Sequence, residues 1–144
     1  MKIIHFIVNP IAGKGKSIIT EAFLLKYFEK REISIDVKYS QYKGHATVLT
    51  QQSINEKAEI IVACCGDGTI NEVACCLVHT HIALGIIPIG SGNGLARNLK
   101  ISTNIEKAIH NIMRNNVTPI DVGKINDHYF FSNTGIGFAA NAIL

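Results

Sequence analysis

The sequence predicts an α/β fold in which a parallel sheet carries helices on both faces. Three observations lead there. Apolar runs of strand length recur at Lys2–Asn9, Glu59–Cys65 and Ala83–Ile89, too continuous for half-exposed strands. Segments with apolar residues at helical spacing alternate with them. Glycine-rich turns close these strands, and in open α/β sheets the crevice beyond the carboxyl ends of the strands is where ligands bind.

Lys2–Asn9, rich in Ile and Val, suits a strand buried on both faces. Ser17–Arg31 carries Ile18, Phe23, Leu24, Tyr27 and Phe28 at helical spacing, so a helix is expected to start near Ser17. Ile33–Ser40 alternates Ile33, Ile35, Val37 and Tyr39, as a strand near a sheet edge does. A second helix is expected from Gly44 to about Lys57, followed by a buried strand over Glu59–Cys65. Gly66-Asp-Gly68 breaks that strand, and Thr69–Val78 reads as helix. Thr69 and Glu72 have the T-x-x-E spacing of a capping box, repeated by Thr103 and Glu106 ahead of a helix to about Asn115. Between them lie the strand Ala83–Ile89 and a short helix over Asn93–Leu99. Val117–Ile125 and His128–Ser132 read as strands joined by a tight turn at Asn126-Asp127.

A chain of 144 residues with 47% hydrophobic content is long enough for one domain with one sizeable core. The net charge of +3 is mild, and its Lys and Arg are scattered without aromatic interleaving, which argues against a nucleic-acid partner. Anionic small molecules or an anionic membrane surface fit this charge. No run reaches membrane-span length and the N-terminus lacks a signal-peptide design, so the expectation is a cytoplasmic protein with at most peripheral membrane contact. The cysteines form two adjacent pairs, Cys64-Cys65 and Cys75-Cys76. Neither has metal-knuckle spacing, and both read as buried apolar residues in a reducing compartment. The last residues, Gly135–Leu144, form an apolar stretch without a polar tail or helix cap. A piece of a longer protein is therefore expected.

The stretch VNPIAGKGKS at Val8–Ser17 approaches the phosphate loop G-x-x-x-x-G-K-[ST], but Pro10 stands where that loop needs its first glycine. Proline offers no N–H, so a P-loop is rejected. What survives is a strand, a basic turn and a helix N-terminus, an arrangement that suits an anion. Two further turns, Gly66-Asp-Gly-Thr-Ile-Asn-Glu72 and Gly90-Ser-Gly-Asn-Gly94, also place small residues where backbone N–H groups can approach a ligand. Three such turns on one sheet edge describe an anion site, most simply for nucleotide phosphates. Asp67, between glycines, reads either as a group that orients a Mg2+ ion or a water, or as a turn aspartate bonding its own backbone. Thr69 and Glu72 are accounted for by capping.

Val8-Asn-Pro10, Cys65-Gly-Asp-Gly-Thr-Ile-Asn-Glu-Val73, Pro88-Ile-Gly-Ser-Gly-Asn-Gly-Leu-Ala-Arg97 and Asn133-Thr-Gly-Ile-Gly-Phe138 together resemble the diacylglycerol kinase catalytic-domain family. That family includes the bacterial soluble lipid kinases and the sphingosine and ceramide kinases. Its motifs occur here in family order over nearly the whole chain. The resemblance implies a three-layer, Rossmann-like parallel-sheet domain of the NAD kinase/diacylglycerol kinase type. It implies that residues 1–144 are the N-terminal ATP-binding domain of a lipid kinase, ending before a second, β-rich domain that holds the catalytic base. ATP and Mg2+ are the implied cofactors. The implied partners are nucleotide and a lipid such as diacylglycerol, with transient membrane-surface contact; a homodimer is compatible.

By the same resemblance, Asn9 and Ser40 lie near the nucleotide. Gly66, Asp67, Gly68, Thr69 and Asn71 cradle its phosphates with Glu72 beside them, and Ser91 and Asn93 close the other side. Asp67 is the one residue of this chain given a part in catalysis, in positioning phosphate and Mg2+, and no metal ligand is assigned. Cys65 replaces the first glycine of the family's G-G-D-G-T, which is expected to narrow the space there. Gly94 gives the Ser-Gly-Asn-x-Leu-Ala form of the sphingosine kinases. A kinase of a soluble acceptor such as NAD, and a non-catalytic nucleotide-binding domain, are the alternative functions.

Overall fold

Four parallel strands form the centre: β1 (Lys2–Val8), β2 (Ile33–Tyr39), β3 (Ile60–Cys65) and β4 (Ala83–Pro88), in the order β2-β1-β3-β4. These come from a computed structural model that describes residues 2–12, 19–29, 32–90, 92–114, 117–131 and 141–143. Val8 at the end of β1 is in register with Tyr39 on one side and Cys64 on the other, and Cys65 with Pro88, so the carboxyl ends lie level. β3 is buried along its whole length, as its unbroken apolar run requires, whereas β2, with its alternating pattern, forms an edge. From β1 the chain runs outward to β2 and then back across β1 to β3. The order therefore reverses between β1 and β3, and the crevice at their carboxyl ends is the position at which such sheets take ligands.

Helices α1 (Glu21–Phe28) and α5 (Ile105–Met113) cover one face, and α2 (His45–Asn55), α3 (Asp67–Leu77) and α4 (Gly94–Asn98) the other. On the first face Ile4, Phe6, Val8, Val62 and Cys64 meet Leu24 and Phe28 of α1 and Ile109 of α5. On the second, Ile7, Ile61, Ala63 and Cys65 meet Leu49 of α2 and Ile70, Val73 and Leu77 of α3. Full burial of an aliphatic or aromatic side chain contributes about 1.5–3 kcal/mol. Helices as short as these are marginal alone, so this packing holds them. Gly85 lets α5 approach: a Cβ there would sit 3.0 Å from Val62 and 3.2 Å from Ile112.

Several helix starts differ from those expected. Ile19 and Thr20 are not helical; α1 begins at Glu21 with the Thr20 hydroxyl accepting from the Phe23 N–H, a true N-cap inside the periodic stretch. Neither capping box forms. The chain becomes helical directly after Gly66, which puts Thr69 at the third helical position of α3 and Glu72 past its first turn. In α5 the cap is Asn104, whose Oδ1 accepts from the Lys107 N–H at 3.0 Å, one residue after Thr103. The expected strand Val117–Ile125 is two: β5 (Pro119–Asp121) pairs with β8 (Asn141–Ile143), and β6 (Gly123–Ile125) with β7 (His128–Phe130). Val122 separates them by turning into a small cluster with Val78, Leu84 and Tyr129. The β6–β7 turn is as expected, with Asn126 and Asp127 both at positive φ, 49° and 65°.

All four cysteines are free thiols. Cys64 and Cys65 point to opposite cores and are fully buried, while Cys75 and Cys76 are half-buried. Their burial pushes all four thiols above the usual range. Among the described residues no helix is long and apolar enough to cross a membrane.

A polar group lies inside the β1–β2–α2 layer. Buried His5 bonds the Ser53 hydroxyl through Nδ1 at 2.8 Å, and Lys38 Nζ pairs with Asp36 Oδ2 at 3.2 Å and Glu56 Oε1 at 2.7 Å. His5, Asp36 and Glu56 offer ligand atoms within 4.8 Å of one another, but the Lys38 ammonium already pairs with both carboxylates and offsets one of their two charges. Burial holds the His5 pKa below its ordinary 6.5 despite the opposing pull of Asp36 and Glu56. A base whose folded pKa is depressed binds its proton more readily when unfolded. Stability is thus complete above pH 6.5, falls as the pH drops through that value, and levels off below the folded pKa. The melting temperature is expected to fall between pH 7.5 and 5.5, and by less in His5→Gln; equal falls in the two proteins would remove His5 as the cause.

Candidate functional site

At the carboxyl end of β1, Asn9 is fixed from three sides. Its N–H donates to the Cys64 carbonyl at 3.1 Å, its Oδ1 accepts from the Ile11 N–H at 3.2 Å, and its carbonyl accepts from the Ala12 N–H at 3.1 Å. This Asx turn carries the chain around Pro10, whose lack of an N–H costs nothing there. Ser40, at the end of β2, is buried and donates to the Val8 carbonyl from its N–H (2.8 Å) and from its hydroxyl (3.4 Å). Both side chains are thus held by the strand ends.

The turn after β3 runs straight into α3. Gly66 is the N-cap residue, in extended conformation and with no side chain to cap, and the first intrahelical bond runs from the Ile70 N–H to its carbonyl. The N–H groups of Asp67, Gly68 and Thr69 therefore have no partner within the helix and point out of its positive end. Gly68 carries nothing that would screen them: a Cβ there would meet no atom within 4 Å.

Asp67 is exposed, and its carboxylate makes no hydrogen bond with a described residue, so the self-bonded turn aspartate is not what forms. It faces the third turn: a Cβ on Gly92 would lie 3.0 Å from Oδ2, and one on Gly94 3.9 Å from either oxygen. At Gly66 and Gly90 the second and third turns meet backbone to backbone. A Cβ on Gly90 would come within 2.5 Å of the Gly66 Cα, closer than side chains tolerate. Asn93, in the left-handed conformation (φ 55°), braces this contact by donating from Nδ2 to the Gly90 carbonyl at 2.8 Å. Its Oδ1 is buried without a partner among the described residues.

Asn9, Ser40, Gly68, Thr69 and Glu72 line a cleft of about 590 Å3. Asn9, Gly68 and Thr69 also line an adjoining hollow of about 750 Å3, with Gly66, Asp67, Gly90 and Gly92, so the two share a wall. Both are of ligand size. Asn71, four positions after Asp67 and on the same flank of α3, lines neither cleft but shares with Asp67 a third, smaller hollow bounded by Leu95, Asn98 and Phe131. Asn93 supports the third turn without lining either cleft. Ser91, the basic turn at Gly13–Ser17 and the Asn133–Phe138 motif lie outside the described residues.

Cys65 does not narrow the site. The alternation along β3 turns its side chain into the core between Ile7 and α3, where burial and the nearby Glu72 and Asp67 charges keep its thiol protonated. Sequence reasoning missed Tyr39 and Tyr42, which line the first cleft with 40% and 62% of their surface exposed, beside Ile11 of the turn after Asn9 at 77%. An aromatic in the polar turn Ser40-Gln-Tyr-Lys-Gly44 was the available signal.

A family model described as "Diacylglycerol kinase catalytic domain" matches residues 3–125. This chain belongs to the diacylglycerol kinase catalytic-domain family. Among its curated relatives, the diacylglycerol kinase of Bacillus subtilis (strain 168) is 33% identical over 140 residues, covering 95% of this chain and 46% of that protein. A protein of Pectobacterium atrosepticum named "Probable lipid kinase YegS-like" is 32% identical over 146 residues, 94% of this chain and 48% of the relative. The crystal structure of a diacylglycerol kinase from Bacillus anthracis str. Sterne superposes with a TM-score of 0.71 at 28% identity, over 90% of this chain and 44% of that one. The parallel sheet between helical layers is thus the diacylglycerol kinase fold, and this family member spans less than half the length of these relatives.

Proposed function

We propose that the protein carrying this chain transfers the γ-phosphoryl group of ATP to a hydroxyl of a membrane lipid, diacylglycerol or a close relative, and that this domain supplies the nucleotide site. The observation that carries the proposal is the pair of adjoining clefts at the β1/β3 switch point. They join the open N-terminus of α3 to two carboxylates, Asp67 and Glu72, that no described residue pairs.

The donor set fits a nucleotide with its metal. Three backbone N–H groups and a helix dipole are the partners that phosphate oxygens need. A bare carboxylate beside such an anion would repel it unless a cation came between, so Asp67 is the residue that would hold Mg2+, and Glu72, five residues further along α3, lines the neighbouring cleft. Bound there, Mg2+ would neutralise charge on the phosphates. The chain's own residues do the positioning. Gly66, Gly68, Gly90 and Gly92 leave the backbone open to close approach, and Asn9 and Ser40, fixed by the strand ends, hold the far wall of the cleft. Phosphoryl transfer asks mainly for such positioning and charge stabilisation, with one base to accept the hydroxyl proton. The family resemblance assigns that base to a second domain. Lipid would be met in transient contact at the membrane surface, from the cytoplasmic side.

The test uses the full-length protein with γ-labelled ATP and Mg2+, incubated in parallel with diacylglycerol-containing vesicles and with NAD. Label in the lipid is the expected result. Label in NAD alone would replace the lipid reading with a soluble acceptor, and no transfer to either would leave a non-catalytic nucleotide domain.

A further inference from the structure

The first cleft, lined by Gly68 and Thr69 of the phosphate-binding turn, is also lined by one member of an aromatic pair. Tyr42 and His45 stack in parallel, with ring centroids 4.4 Å apart and planes 10° from each other. The stack is built rather than incidental. The Gln41 N–H donates to His45 Nδ1 at 2.9 Å, which fixes the imidazole plane, and the His45 N–H closes a turn onto the Tyr42 carbonyl at 3.1 Å. Gly44, at φ 91°, permits that turn. Tyr42 lines the cleft while His45 does not, so the imidazole backs the phenol ring and the ring borders the cavity. Ile11 lines the same cavity with 77% of its surface exposed, an aliphatic group that the fold itself leaves uncovered. Tyr39 adds a further apolar wall and is tied down by its hydroxyl, which donates to the Ile19 carbonyl at 3.2 Å.

We propose that the Tyr42–His45 stack is the platform for the base of the nucleotide, with Ile11 as the apolar group that meets it within the same cleft. The inference rests on the nucleotide reading above and adds to it the residue that recognises the base. A planar heteroaromatic ring laid on Tyr42 extends a two-ring stack to three. It covers the ring of a residue that is 62% exposed and leaves the phosphates to run toward Gly68 and Thr69 in the same cavity. Every base has a π face, so such a platform grips the base without selecting it through hydrogen bonds.

Binding of ATP and of inorganic tripolyphosphate, which has the phosphates without the base, is measured calorimetrically with Mg2+ on the full-length protein and its Tyr42→Ala, Tyr42→Phe and His45→Ala variants. Base stacking of the usual strength predicts that Tyr42→Ala weakens ATP about tenfold and leaves tripolyphosphate within about twofold. Tyr42→Phe should bind ATP nearly as the parent does, and His45→Ala should fall between. Unchanged ATP binding in Tyr42→Ala overturns the platform while the nucleotide site stands. So does an equal loss of both ligands, which would place Tyr42 at the phosphates or in the fold; unaltered melting temperatures separate those two. Failure of the parent protein to bind either ligand overturns the nucleotide reading itself.

Discussion

Asp67→Asn in the full-length protein is expected to lower kcat on the order of 100-fold, the usual loss when one preorganised charge-stabilising group is removed from a reacting centre. Asparagine keeps the size of the side chain and one acceptor oxygen but not the charge. The carboxylate stands at the first position of α3, against Gly92 and without a described partner, so no ion pair or hydrogen bond of the fold is lost with it. Melting temperature should therefore fall by no more than about a few degrees, from the lost attraction between the carboxylate and the positive end of α3. Metal-free ATP should bind no more weakly, and somewhat better, because a negative charge beside the phosphates has gone. That opposition, weaker turnover with undiminished metal-free binding, is the signature of a group that acts through a cation. Steady-state kinetics with Mg2+ and binding in EDTA measure the two halves. Full turnover in the variant would reduce the Gly66–Glu72 turn to a structural element.

The second large effect is expected at Gly90. Alanine there would place a methyl group 2.5 Å from the Gly66 Cα, backbone against which no side chain can rotate away. The two turns must part, at a cost of about 1–3 kcal/mol if overpacking here resembles overpacking elsewhere. The parting also displaces the N–H groups that follow Gly66, so affinity for ATP should fall about tenfold or more. Gly68→Ala is the control for stability: open space surrounds its Cβ, and alanine is the better helix residue by up to about 1 kcal/mol. Thermal melts of the two variants should move in opposite directions. A Gly90→Ala protein as stable as its parent, with unaltered ATP binding, would show that the contact between the turns is slack.

The layer structure was legible because its signal is redundant. Ile4, Phe6, Val8 and Ile7 declare a two-sided strand by continuity, and each helical stretch repeats its apolar stripe several times. Helix starts were less legible because each depends on a single residue. Thr69 with Glu72 and Thr103 with Glu106 have the right spacing, yet Gly66 and Asn104 act as the N-cap residues, since spacing does not reveal where the backbone first turns. Of the expected site residues, Asn9, Ser40, Gly66, Asp67, Gly68, Thr69 and Glu72 come together because all lie at or just beyond the ends of adjacent strands. Asn71 lines neither of their clefts: one helical turn after Asp67 and on the same flank of α3, it lines with Asp67 the smaller hollow against Leu95 and Asn98. Tyr42 and His45 could not be paired from sequence, because a stack depends on ring planes that only the Gly44 turn sets.

The missing cap on α3 has a consequence beyond chemistry. α1 completes its first turn with a side chain of its own, Thr20, and α5 with Asn104. α3 begins on a glycine and leaves that valence open. An anion seated on Asp67, Gly68 and Thr69 would complete the helix from outside, and so become part of the folded structure rather than a passenger on it. Occupancy and folding are then linked quantities: the loaded state gains stability in proportion to RT ln(1 + [L]/Kd), and the empty state lacks one element of its own architecture.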